Sequence, residues 1–417
     1  MNNIHTSDEL YYKRWLAPHL VKALADTSVL VLTGARQVGK STLLLHEAPF
    51  NHMPYFSLDN FDTLRQADED PFSLWAGYTD IVIDEVQKAP RLLSAIKQAV
   101  DKDPGKYHFV LSGSANLLLM KQVSESLAGR AIYFELDPLT VGEILETPAP
   151  TLITDLMAGH WLEDTTFGGS ILDLPTLLLR GLLPPLVRLD SAPSWTRWWE
   201  GYVATYLERD LRQVSQISSL LDYRRMMELL ALRCGQVLNQ SELGRDAGLT
   251  QPTTHRYLNL LETTCLFHQV PAFSGNPALR LVKSPKAFWN DTGLVSYLSG
   301  YYQKEDLQGS RQMGHIFENF IYHHLNVTAQ MMIPRGRIYH FRTTSGKEVD
   351  FILEHGRRHL AFEVKLTAKP GYHDTENLRA YLDQHPQAAG GILIHCGDEI
   401  RRIRQNILAV PWRLISG

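Results

Sequence analysis

Three groups of residues in this chain have the types and the spacing to do chemistry. The first is the run G-A-R-Q-V-G-K-S-T, made of Gly34, Ala35, Arg36, Gln37, Val38, Gly39, Lys40, Ser41 and Thr42. It fits the pattern G-x-x-x-x-G-K-[S/T]. The two glycines let successive backbone N–H groups turn inward on a polyphosphate, Lys40 reaches the outer phosphates, and the Ser41 hydroxyl is placed to hold Mg²⁺. The second group is the adjacent pair Asp84 and Glu85, which closes the apolar run I-V-I. Asp84 would hold Mg²⁺, directly or through water, and Glu85 would polarise the attacking water. The third lies far downstream: Asp350 in E-V-D-F-I-L, and Glu363 and Lys365 in F-E-V-K-L. Charges on otherwise apolar strands are costly unless they do something, and this set suits a divalent metal.

The elements around the first two groups are those that such a site needs. Residues 29–32 (V-L-V-L) read as a buried strand and residues 42–46 as the first turns of a helix, so the glycine-rich run sits between strand and helix. Residues 11–24 read as a helix leading into that strand. Residues 54–58 form a second short strand, residues 81–83 the strand that ends at Asp84, and residues 108–111 a further buried strand. A polar cluster, S-G-S-A-N, follows the last of these. Ser112 or Ser114, with Asn116 beside them, would sense the γ-phosphate if that strand lies next to the first; an ordinary strand-to-helix turn is the alternative. Arg130 follows Gly129 at a predicted helix end. It projects either as an arginine finger, toward a phosphate of its own or a neighbouring subunit, or as a surface arginine near a helix C-terminus.

The four segments G-A-R-Q-V-G-K-S-T, D-I-V-I-D-E-V-Q, F-V-L-S-G-S-A-N and S-L-A-G-R, in this order and spacing, resemble a family of prokaryotic AAA-type ATPases that also carry a C-terminal domain of unknown function (DUF4143 type). The resemblance implies a parallel sheet with helices on both faces and ATP as ligand. It supports Arg130 as a finger and points to Arg36 as a residue close to the phosphates.

Pro138, Pro148 and Pro150 mark a boundary after the last strand, residues 132–136. The family's Gly-Gly-aromatic-Pro turn is replaced here by Gly181-Leu182-Leu183-Pro184. Residues 195–214 read as one helix with Tyr202, Tyr206 and Arg209 on a single face, and Y-L-E-R-D-L within it resembles the family's middle motif. Packing and binding roles are both open for that face. Residues 238–266 read as a winged helix-turn-helix: Ser241 caps one helix, Gly248 makes the turn, Thr250 caps the second, and residues 267–270 begin the wing. Gln251, Thr253, Thr254, His255 and Arg256 would face DNA, with Arg245, Arg280, Lys283 and Lys286 adding local charge; a packing or protein-contact role is the alternative.

In the last part of the chain, residues 309–314 read as a linker and residues 315–325 as a helix carrying Glu318. Residues 347–353 and 360–366 read as a hairpin. A two-residue turn at His355-Gly356 would place Asp350 opposite Ala361, with Glu363 its diagonal neighbour and Lys365 on the same face. This constellation resembles the PD-(D/E)XK nuclease core. The resemblance implies that Asp350 and Glu363 bind Mg²⁺, that Lys365 orients water or stabilises charge, and that Glu318 is the helix-borne acid. Val349 stands where that core has proline.

The bulk numbers frame these readings. A chain of 417 residues is expected to form two or three domains. Hydrophobic residues at 44% and charged residues at 21% are those of a globular protein, and the net charge of −4 leaves nucleic-acid contact to local basic patches. Cys234, Cys265 and Cys396 lack metal-ligand spacing and fit a reducing cytosol. No segment reads as a leader or a membrane span, so a cytoplasmic location without membrane contact is expected. The expected fold is α/β: an N-terminal P-loop AAA-type parallel-sheet domain (1–147), a helical region with a winged helix (148–305), and an α+β nuclease-like domain (306–417). The expected function is ATP binding and hydrolysis with Mg²⁺ in association with DNA, in a homo-oligomeric ring or dimer if Arg130 acts in trans. The alternative is an ATP-dependent switch or scaffold acting on a protein partner, with a C-terminal domain that does not cleave.

Overall fold

The computed structural model describes residues 11–113, 127–168, 172–207, 219–276, 280, 283–343 and 345–417; the side chains of residues 206 and 207 are not among those described. Ser114, Asn116 and Arg209, and the side chain of Tyr206, therefore lie outside the described residues. The chain divides into two compact units.

The first unit is built on five short strands: β1 (Val29–Thr33), β2 (Tyr55–Ser57), β3 (Asp80–Asp84), β4 (His108–Ser112) and β5 (Ala131–Glu135). Every pairing is parallel and the order is β2-β3-β4-β1-β5. All five residues of β1 are buried, as expected of a central strand covered on both faces. Among the helices are α1 (Ala17–Asp26), α2 (Lys40–His46), α3 (Phe61–Glu69) and α4 (Pro90–Lys102). The apolar stripe of α4, with Leu92, Leu93, Ile96 and Val100, joins Val29, Val31, Ile81, Ile83, Phe109 and Leu111 in one core. Because β4 lies between β1 and β3, the carboxyl ends of these three strands meet. Open α/β sheets bind ligands there.

One expectation for this unit is corrected. Residues 11–16 are not helical; α1 begins at Ala17, with proline in its first turn. The preceding segment is held by other bonds: the Trp15 N–H donates to Glu143 at 2.7 Å, and Arg14 reaches three carbonyls.

In the second unit, α5 (Ala192–Gly201) passes into a π-helical turn at Tyr202–Leu207 rather than continuing as one regular helix. Tyr202 is buried and stacks on Trp198, so this member of the predicted face is core. Then come α6 (Leu220–Ala231), α7 (Gln240–Ala247) and α8 (Gln251–Thr263). Gly248, at φ 70°, ends α7 in the left-handed conformation that glycine tolerates. The α7 cap is Asn239, whose side chain accepts the Glu242 N–H, and not Ser241. Strand β6 (Thr165–Thr166) precedes these helices. The antiparallel ribbon β7 (Phe267–Val270) and β8 (Lys286–Trp289) follows them.

The larger sheet of this unit contains β9 (Arg337–Arg342), β10 (Glu348–His355), β11 (Arg358–Val364), β12 (Gly390–His395), β13 (Glu399–Arg404) and β14 (Ile407–Pro411), in the order β6-β13-β14-β12-β11-β10-β9. Strands β9, β10 and β11 are antiparallel, whereas β11, β12 and β14 run parallel. Helix α9 (Gln312–Met331) and helix α10 (Glu376–Gln384) pack on this sheet. The expected linker at 309–314 is shorter than predicted, because α9 starts at Gln312.

Candidate functional site

The phosphate loop follows β1 and opens α2. Gly34 has φ 142°, and a Cβ there would run into the backbone carbonyl of Leu136, so only glycine lets the chain pass. Gly39 caps α2 at φ 95° with no side chain on its leading N–H groups, which leaves them to an anion. Gln37 also takes a positive φ, 65°. Arg36 and Gln37 are exposed on the rim of the loop, whereas Ala35, Val38 and Lys40 are buried. The Lys40 ammonium donates to the carbonyls of Gly34 and Ala35, each at 2.9 Å. Burial pulls its pKa down. From behind, the buried Arg14 guanidinium donates to Val38 O at 2.8 Å and Asp137 O at 2.7 Å, and pairs with Glu143 at 3.2 Å. Arg14 thus ties the loop to the segment after β5.

Asp84 ends β3 and is 4% exposed. Three hydroxyls converge on it. Ser41 donates to Oδ2 at 2.7 Å, Tyr55 donates to the same oxygen at 2.5 Å, and Ser112 donates to Oδ1. Burial, and then the Asp84 charge, push the Tyr55 phenol well above its usual range. Ser41 and Asp84 present hard oxygen donors to one another, the chemistry that Mg²⁺ selects, so the residues fit that ion. Glu85 turns away from the strand with φ 56°, a left-handed conformation that is strained for a non-glycine residue and characteristic of functional positions. Its carboxylate accepts from the Gln87 amide. Burial first, and Asp84 second, raise its pKa, which suits a group that must take up a proton.

The structure brings the loop, Asp84, Glu85 and Ser112 together. It does not bring Arg130 to them. Arg130 immediately precedes β5, whose first residue Ala131 is level with Val29 at the start of β1, and roughly 16 Å of strand separates that end from the loop. Its side chain pairs with Asp101 at the end of α4. A reach from Arg130 to its own loop is thereby overturned. Tyr55 and Arg14 are missed by the sequence reading. Tyr55 could have been found from its place on the strand beside D-E; Arg14 has no local signature.

In the second unit, α8 exposes Gln251, His255 and Arg256, with Thr253 half-buried. Thr254 is buried, which corrects its assignment to a DNA-facing surface. Two of the expected basic residues are also engaged elsewhere. Arg280 forms a double ion pair with Glu354 at 2.9 and 3.1 Å and stacks over Phe273 and Tyr339. Lys286 is 2% exposed and lies among acids: 2.8 Å from Glu318, 2.5 Å from Glu348 and 3.6 Å from Asp350. Burial lowers the Lys286 pKa, but the three carboxylates outweigh it and the net direction is up.

The hairpin turns at Gly356-Arg357 and not at His355-Gly356. Gly356, at φ 62°, takes the first central position, where a positive φ is needed. The register therefore moves by two residues: Ala361 faces Ile352 and Phe351 faces Phe362. Asp350 consequently lies beside the end of β11, where its carboxylate accepts the Val364 N–H at 2.8 Å, at an irregularity in the β9–β10 ladder. Glu363 accepts from Lys365 at 2.7 Å and from the Asn377 amide at 3.4 Å. Its other oxygen is buried with no hydrogen-bond partner. Burial, and then Asp350, raise the Glu363 pKa to about 8. Burial likewise raises Glu318 to about 8, with Lys286 opposing. The oxygen donors of Asp350 and Glu363, one of them unsatisfied, fit a divalent cation in type.

Comparison with known proteins spans the segment that holds the first site. A family model described as an AAA domain matches residues 26–145. Two domains of unknown function match further segments, DUF8612 over residues 171–305 and DUF4143 over residues 313–415. The chain is 31% identical over 404 residues to uncharacterised proteins of Mycobacterium tuberculosis (Rv2008c) and Mycobacterium bovis (Mb2031c), covering 96% of this chain and 84% of each relative. Among solved structures it is similar to a variant of Thermotoga maritima RuvB, with 16% identity and a TM-score of 0.30 over 61% of this chain and 89% of that one. It is also similar to a signal-transduction ATPase with numerous domains from Pyrococcus horikoshii, with 10% identity and a TM-score of 0.25 over 78% and 47%. A loop shaped for phosphate, a carboxylate pair at the end of a parallel strand, and a relative matched over nearly the whole chain lead to one assignment: this chain belongs to the family of AAA-type ATPases that carry a C-terminal domain of unknown function.

Proposed function

We propose that the chain hydrolyses ATP with Mg²⁺ and uses the cycle to act on DNA. The observation that carries hydrolysis is the Asp84 carboxylate, held by Ser41, Tyr55 and Ser112 at the carboxyl ends of three adjacent strands. In this reading the backbone of Gly34, Ala35, Arg36, Gln37, Val38 and Gly39 cradles the phosphates, with Thr42 at the start of the helix. Lys40 exchanges the loop carbonyls for phosphate oxygens. Ser41 and Asp84 would hold Mg²⁺, which when bound neutralises charge on the phosphates. Glu85 orients the attacking water and takes its proton. Ser112 positions Asp84 from β4, and Arg130 serves a neighbouring copy. Arg36, on the loop rim, lies close to the phosphates.

The DNA arm of the proposal is supported by a helix-turn-helix, α7 and α8, followed by the β7–β8 ribbon, with Gln251, His255 and Arg256 exposed on α8. Asp350, Glu363, Lys365 and Glu318 supply a nuclease-like acid site in the same unit. A second reading, an ATP-driven switch on a protein partner with a non-cleaving C-terminal site, draws support from Arg280 and Lys286. Both basic residues are engaged by acids and do not reinforce the α8 surface.

Steady-state ATP hydrolysis with Mg²⁺, alone and with single-stranded, duplex and branched DNA, separates the two, with Lys40→Ala as control. Stimulation by one DNA form that disappears in the control supports the DNA reading. A rate indifferent to every DNA form supports the switch.

A further inference from the structure

The acid cluster of the second unit already holds a cation, and the chain itself supplies it. Lys286 comes from β8, whereas the acids around it come from α9 (Glu318) and β10 (Glu348 and Asp350). Its backbone is fixed on several sides. Lys286 bridges Val237 and pairs with Val270, and Asn319 of α9 accepts the Trp289 N–H at 2.6 Å and donates to the Trp289 carbonyl at 2.9 Å. The lysine is therefore a built-in part of the cluster. Glu363, which feels the Asp350 charge, is 2% exposed and keeps one buried oxygen without a hydrogen-bond partner, and the one Lys286 ammonium leaves its three acids in excess. Lys365 serves the Glu363 side of the pair at 2.7 Å, whereas Lys286 stands 3.6 Å from Asp350, where its charge repels a divalent ion that would bind that carboxylate.

We propose that Lys286 is the resident cation of the Glu318–Glu348–Asp350 cluster, and that a divalent metal enters the Asp350–Glu363 site only when Lys286 is displaced. The inference rests on the reading of Asp350 and Glu363 as metal-competent. It makes the ribbon that follows the helix-turn-helix the carrier of a lock: the position of β8 decides whether the acids face a lysine or a metal ion.

The test uses the full chain without nucleotide, in a Lys40→Ala background so that the phosphate loop is disabled. Mn²⁺ is titrated and the free ion is followed by electron paramagnetic resonance. Lys286→Met is expected to bind Mn²⁺ at least about tenfold more tightly than the parent, and Asp350→Asn added to Lys286→Met is expected to remove that binding. Mn²⁺ should also raise the melting temperature of Lys286→Met and leave that of the parent unchanged. If Lys286→Met does not fold, Glu348→Gln decides, because it loosens the hold on Lys286 and spares Asp350 and Glu363. Affinity above the parent's supports the lock; affinity equal to the parent's overturns it. Asp350-dependent binding in the parent as tight as in Lys286→Met overturns the lock and leaves the metal-competent site standing. No Asp350-dependent binding in any of them overturns both.

Discussion

At the scale of single residues, the nucleotide site is a competition for Asp84. Its carboxylate is shared among three hydroxyls, so no one donor carries it. Glu85 is set apart by its left-handed backbone conformation and its raised pKa, the observations behind its proposed role as general base. Glu85→Gln is expected to lower kcat by about 10²–10⁴-fold, the usual contribution of a general base, while nucleotide affinity measured by fluorescent-analogue titration is retained. Lys40→Ala should lose affinity and turnover together. A Glu85→Gln protein that turns over at the parent rate would remove Glu85 from the reaction.

At the scale of elements, two joints are open to test. The first is the β1–loop junction. Gly34 passes against the Leu136 carbonyl with a positive φ, so Gly34→Ala is expected to cost about 1–3 kcal/mol in chemical denaturation, from strain and overpacking. The second is the middle of α9. His324 is 0% exposed; its Nδ1 lies 2.8 Å from the Phe320 carbonyl and its Nε2 accepts the Val141 N–H at 3.2 Å. Both bonds are made by the neutral ring, and burial lowers its pKa from 6.5 to about 4. A depressed folded-state pKa means that the unfolded chain binds the proton first. His324 therefore contributes stability above pH 6.5 and loses it as pH falls toward 4, a loss of roughly 3 kcal/mol over that window. Denaturation midpoints between pH 7 and pH 4 should fall less steeply in His324→Gln, whose amide can still accept the Val141 N–H. An unchanged slope would show that other groups set the acid limb.

At the scale of the whole molecule, two questions concern partners. Arg130 stands at the start of β5, at the end of the strands opposite the phosphate loop, so a contribution to hydrolysis would need a second copy. Lys40→Ala and Arg130→Ala should each be inactive alone and regain part of the turnover when mixed, because an intact loop in one copy meets an intact arginine from the other. Failure to regain activity at every mixing ratio would take Arg130 out of the site. For DNA, Arg256→Ala on the exposed face of α8 is expected to weaken binding several-fold and to reduce the salt slope by about 1, with the melting temperature unchanged. Among the described residues, no helix is long and apolar enough to cross a membrane.

The sequence by itself determined the features whose chemistry is contiguous. The loop at 34–42, the D-E pair and the buried strands around them are each written in a few adjacent residues, and backbone geometry follows locally from glycine placement and β-branched runs. The hairpin bearing Asp350 and Glu363 was legible in type, but its register was not. That depended on which residue Gly356's positive φ would bring into the turn, a difference of two residues along the ladder. Only the tertiary structure decided that Lys286, 32 residues from Glu318 in the chain, lies buried among acids instead of on a basic surface. It alone decided too that Tyr55 shares Asp84, that Arg14 holds the loop from behind, and that Arg130 pairs with Asp101 at the other end of the strands. An isolated lysine or arginine carries the same local signature on a surface as in an ion pair. Its environment is set by sheet order and helix packing between distant segments, which no short window of sequence encodes.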